Sequence, residues 1–142
     1  MKKLLSIILL IGASTFAAER LCAQNFEIDT VRFQTSGYTD LNDSIQRTVI
    51  SETQFVYYGG SHIRWIQEEG AVVYAMDIIN TSGTALPNAL DETATTNVKL
   101  NGGITGSFML RKTASGIALF LELNGGTSPI RVRYTVTSID TL

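Results

Sequence analysis

The chain reads as an all-β protein: one antiparallel domain of about eight or nine strands, an up-and-down barrel in preference to a two-sheet sandwich, behind an N-terminal signal peptide. Three observations predict this. Short runs rich in β-branched and aromatic residues recur at a spacing of roughly 8–12 residues, bounded by Gly, Asn and Asp. Only two prolines occur in 142 residues, and Thr alone fills 16 of the positions from 24 onward. Outside the first segment no stretch sustains a helical period. A hydrophobic content of 44% against 17% charged residues excludes a disordered chain.

Residues 1–23 read as an address. Lys2 and Lys3 precede the apolar run Leu4–Ile11, and small residues follow, the order of a secretory signal peptide. The run falls well short of the roughly 20 residues that a transmembrane helix needs. Ala23 gives the expected cut, with Ala17 and Ala18 as alternatives. Glu19-Arg20-Leu21 ahead of Cys22 departs from the small-residue lead of a lipoprotein signal. The mature chain is then residues 24–142. Losing Lys2, Lys3, Arg20 and Glu19 takes 11 basic and 13 acidic residues to 8 and 12, a net charge near −4. The sole Cys leaves with the signal, so an exported domain stands on core burial without disulfides. Its length suffices for that. The protein is expected to be exported: periplasmic, surface-bound or extracellular.

The strands follow in order. Phe26, Ile28, Val31 and Phe33 form a first run that stops at Ser36-Gly37. Residues 45–51 and 54–58 come next, closed by Gly59-Gly60. Residues 61–67 end at Glu68-Glu69-Gly70, a hairpin-like connection in which Gly accepts positive φ. Residues 71–79 end at Asn80–Gly83. Residues 84–96, with Pro87 and many Ala and Thr, show no clear period and read as the longest loop, with a helical turn near 88–92. Residues 98–100, 105–112 and 117–123 follow, and Asn124-Gly125-Gly126 turns the chain into a final strand, 130–139.

That last strand alternates cleanly, with Ile130, Val132, Tyr134 and Val136 against Arg131, Arg133, Thr135 and Thr137. Two others are apolar on both faces. Val72, Tyr74, Met76 and Ile78 oppose Val73, Ala75 and Ile79, and Ile117, Leu119, Leu121 and Leu123 oppose Ala118 and Phe120. The second faces are expected to be covered by the long loop, a partner subunit or a ligand. Phe120 alone needs no cover, because single surface apolar residues are ordinary.

Little chemistry is legible. One Cys and one His exclude a zinc ribbon and a Cys/His cluster, and the near-neutral balance aims no field at nucleic acid. His62 and Ser61 are neighbours, expected to point to opposite faces of a strand, and no Gly-x-Ser-x-Gly elbow occurs. Glu68-Glu69 is a solvated turn pair. Asp40, Asn42 and Ser44 carry the first spacings of a calcium loop, but Ile45 and Ser51 stand where Gly and Glu are required. The paired glycines at 59, 102 and 125 precede no Lys-Ser/Thr and helix, so they are hairpin glycines, and neither a cofactor nor a metal is expected. Asn42 and Asn80 open glycosylation sequons by pattern. Arg131 and Arg133 share a polar face with Thr135 and Thr137, which reads as protection of the sheet.

Three function classes follow, with an enzyme behind them all. The first is a lipocalin-like barrel, by fold-level analogy, that encloses a small apolar ligand. Its expected binding residues are Trp65 and Ile63, which share an inward face, and Tyr74. The second is a structural or protein-interaction module meeting another surface protein. The third is a small outer-membrane barrel, for which residues 71–79 and 117–123 lack the polar-in alternation. An interior cavity separates the first two.

Overall fold

The computed structural model describes residues 29–82 and 86–142. It contains eight strands: β1 (Thr30–Asp40), β2 (Thr48–Tyr58), β3 (His62–Gln67), β4 (Val72–Ser82), β5 (Thr93–Lys99), β6 (Thr105–Thr113), β7 (Gly116–Asn124) and β8 (Ile130–Thr141). Each pairs antiparallel with its neighbours in sequence, and β1 also pairs with β8, so the sheet is a closed up-and-down barrel. The expected signal peptide, and Phe26 and Ile28 of the first run, lie outside the described residues.

The two-residue period decides what fills the interior. Val31 and Phe33 of β1, Phe55 and Tyr57 of β2, Ile63 and Trp65 of β3 and Met76 of β4 are buried. So are Val98 of β5, Phe108 and Leu110 of β6, Leu119 and Leu121 of β7, and Tyr134 of β8. Register partners share a face, so Phe33, Phe55 and Trp65 stand side by side across three strands. Phe108 reaches them from the far wall, with ring centroids 5.9 Å from Phe33 and 5.5 Å from Phe55. A void large enough for water would leave accessible surface on its walls. Val31, Phe33, Phe55, Ile63, Met76, Val98 and Leu119 have none, so the centre of the barrel is filled.

The outer wall is charged. Arg32, Arg64, Asp77, Lys99, Arg111, Glu122 and Arg133 alternate with the buried set along their strands. An apolar interior with a charged exterior is the reverse of the polarity that a lipid-facing barrel presents. Val56 is buried on this outer wall because its cross-strand neighbours are Arg32 and Arg64, whose long stems flank it.

Several expectations need correction. β1 does not stop at Ser36-Gly37. It continues to Asp40 through a register shift against both neighbours between Thr35 and Gly37, a bulge that bends the strand. Gly37 is required there, since an added Cβ would lie 2.8 Å from the Val49 carbonyl oxygen. The two runs 45–51 and 54–58 are one strand, β2. β5 begins inside the segment read as loop, and its inward set is Ala94, Thr96 and Val98. The turn at 88–92 is capped instead of helical: Glu92 Oε2 accepts the N–H groups of Asn88 and Ala89, both at 2.9 Å. The expected β7–β8 hairpin is present, paired from Leu123 and Ile130 to Ala118 and Thr135.

No described residue of the long loop covers the second face of β4, where Val73 is 41% and Ile79 56% exposed. A closed barrel buries one face of each strand, and among the described residues no second layer packs on the other.

Candidate functional site

Trp65, Ile63 and Tyr74 are brought together, but not around a lumen. Ile63 and Trp65 lie on the inward face of β3, with Ile63 fully buried and Trp65 nearly so. Tyr74 faces Trp65 across the β3–β4 ladder with ring centroids 5.2 Å apart, and it is 43% exposed at the barrel end. The indole lies nearly parallel to Phe55, at 6.2 Å and 10°. Phe55 meets the edge of Tyr134 at 5.0 Å, and Tyr134 meets Tyr38 at 6.0 Å. A continuous aromatic layer therefore closes the end of the barrel that carries the β1–β2 and β3–β4 connections.

That layer holds one strongly perturbed group. Burial raises the Tyr134 hydroxyl well above the usual tyrosine range, and the neighbouring Tyr38 adds to the rise. Hydrogen bonding from Trp65 and Gln67 offsets a part. The Trp65 indole Nε1 is itself buried with no acceptor in good hydrogen-bonding geometry.

The remaining sequence candidates are on the outside. Ser61 does not oppose His62: it ends the Gly59-Gly60 turn, where strand alternation does not apply, and its Oγ lies 2.7 Å from His62 Nδ1. The His62 ring stacks on Tyr58 at 4.5 Å. Asp77 is its cross-strand partner on β4, yet no ion pair joins the two among the described residues. The result is a surface histidine held by a serine and a tyrosine ring. Asp40 Oδ1 accepts the N–H of Asn42 and Asp43 Oδ1 that of Ile45, so both carboxylates serve their own turn. Glu69 stands at φ 55° in the 3-10 turn that ends at Gly70. Among the described residues no three His, Cys, Asp or Glu side chains gather into a group that could hold a metal ion.

The outer wall carries two contrasting depressions. At the β1 bulge, a groove of about 520 Å³ is lined by Ile50, Ile66, Glu52, Glu69, Gln34 and Gln54, among others, with no Lys or Arg. On β6–β8, a smaller cleft of about 160 Å³ is lined by Leu41, Met109 and Phe120, with Arg111, Arg131 and Glu122 beside them. Arg131 pairs with Glu122 at 3.4 Å and Arg111 with Asp91 at 2.9 Å. Arg133, directly opposite Phe120 in the ladder, has no carboxylate within ion-pair distance among the described residues. Sequence reasoning placed Arg131 and Arg133 on one polar face and noticed Phe120 apart from them. Their assembly depended on the β7–β8 register, which alternation within single strands does not reveal.

No protein-family model matches the chain, and neither a curated protein nor a solved structure shows significant similarity to it.

Proposed function

We propose that this protein is an exported, non-catalytic interaction module: a rigid small barrel that presents its outer wall to other macromolecules. The filled interior carries the reading. Side chains with no water-accessible surface occupy the volume that a ligand-holding barrel keeps open, so recognition falls to the exterior. The exposed apolar residues of β2 and β4 favour the same view, since they contribute nothing to the core. The Lys-Lys, apolar, small-residue order of residues 1–23 supports export.

A second reading has one specific observation behind it. Trp65 lies directly beneath the half-exposed ring of Tyr74, so a small apolar ligand could enter by displacing that ring. Trp65 is the only tryptophan and reports on this end without interference. Titration of the exported protein with fatty acids and a panel of small apolar compounds, followed by its emission, separates the readings. The interaction module gives a flat response. A saturable shift at micromolar concentration replaces it with the ligand binder. Intact mass tests export, with a species starting at Gln24 expected.

A further inference from the structure

Pairing of β1 with β8 closes the sheet, so that only short stretches such as Val72–Met76 of β4, which lie beyond the β4–β5 ladder, leave backbone unpaired, and the outer wall is presented mainly as side chains. Two features of the outer wall suit one another. Ile50 on β2 is 91% exposed on the outer wall. Water contact with so fully exposed an aliphatic side chain is unfavourable, and no described residue covers it. Ile50 shares its groove with Glu52 and Glu69, and no cation lines it. The cleft on β6–β8 offers the complement: apolar walls at Met109 and Phe120, with Arg111 and Arg131 against the single carboxylate of its lining, Glu122.

Size agrees with chemistry. The cleft measures about 160 Å³. A pocket of ~150 Å³ takes a benzene ring, so a branched four-carbon side chain fits. Arg111 and Arg131 are both about half exposed in their present ion pairs. Exposed pairs of this kind are worth little, so either guanidinium can turn to a new carboxylate at small cost. Knob and cleft sit on different strands of one closed wall, so no copy can fill its own cleft.

We propose that Ile50 of one copy inserts into the Phe120 cleft of a second copy, with Glu52 and Glu69 meeting the arginines that flank it. The contact is heterologous, the first copy keeping its cleft free and the second its knob, so association continues head to tail. This rests on the interaction reading above and names its partner as the protein itself.

Sedimentation of the purified exported protein tests it. The mass rises with concentration past that of a dimer and falls when salt screens the carboxylate–guanidinium contacts. Ile50→Asp weakens association by about tenfold to a hundredfold, the factor matching burial of one such side chain. Arg111→Glu with Arg131→Glu does the same from the other face. An equimolar mixture of these two proteins, each left with one working face, forms a dimer that grows no further. Ile50 and both arginines lie at the surface, and circular dichroism checks that each variant keeps the wild-type spectrum. A wild-type protein that stays monomeric at every concentration overturns the proposal. So does a mass that stops at two, or a mixture that remains monomeric. Monomers with a flat Trp65 titration overturn only this proposal and leave the interaction reading standing. A saturable titration overturns that reading whatever the mass.

Discussion

β4 and β7 look alike as sequence, each apolar on both faces, and the barrel treats them differently. β7 commits Leu119, Leu121 and Leu123 to the core, and its outward Phe120 is shielded by its place between Met109 and Arg133 in the ladder. β4 commits only Met76 fully. Its inward Tyr74 reaches the barrel end, and its outward Val73 and Ile79 face solvent. The difference lies in their neighbours. Ala118–Leu123 of β7 are paired on both sides, whereas Val72–Met76 of β4 pair with β3 alone and lie beyond the β4–β5 ladder. Apolarity that folding uses and apolarity that folding leaves over can therefore share one strand.

The largest effect that would break this contrast is in β7. Leu121→Ala is expected to cost about 2–5 kcal/mol, because a filled interior cannot collapse onto the lost volume. Denaturant unfolding measures it, and an unchanged midpoint would show that the β7 inner face is not load-carrying. Alkaline unfolding probes the rim between the two strands. The folded state holds the Tyr134 hydroxyl protonated more tightly than the unfolded chain, whose tyrosines ionise near the ordinary value of 10.0. Stability is thus intact below that pH and falls as pH rises through it toward the folded value. Tyr134→Phe should flatten the fall in a pH series of melting temperatures. The smallest effect is on the outer face of β4. Ile79→Thr should change stability by no more than about 0.5 kcal/mol, as for surface positions in general. A larger loss in the same unfolding assay would mean that this face has cover after all.

How much of this was legible depended on side-chain size. The β7–β8 hairpin could be read from Asn124-Gly125-Gly126, and the inner face of β8 from Ile130 to Val136, because large apolar residues alternate there with Arg and Thr. β7 was apolar on both faces and showed its inner set less cleanly. β5 could not be read. Ala94 and Thr96 point inward as surely as Leu119 does, but Thr-Ala-Thr-Thr offers too little contrast in hydropathy to show a period. The bulge at Ser36 was hidden for another reason: Gly37 looks like a turn glycine, while its actual role is to let the Val49 carbonyl approach. Of the site residues, the inward direction of Ile63 and Trp65 followed from alternation alone. That Tyr74 would be half exposed did not, since exposure at a barrel rim is set by strand stagger. The Ser61–His62 contact was missed because residue 61 belongs to the turn and not to the strand.

The pairing of β1 with β8 has a consequence for how the molecule comes into being. Arg32 and Asp140, joined at 3.2 Å across that seam, are 108 residues apart in the chain. Contacts of such separation are entropically expensive to form first, so folding is slow by topology. They are also impossible until β8, Ile130–Thr141, has been made. Every earlier nascent length has an open sheet with two bare edges and an uncovered interior. The domain therefore has no native core until its last strand is made, a state that a translocation channel can thread and that a chaperone must otherwise guard.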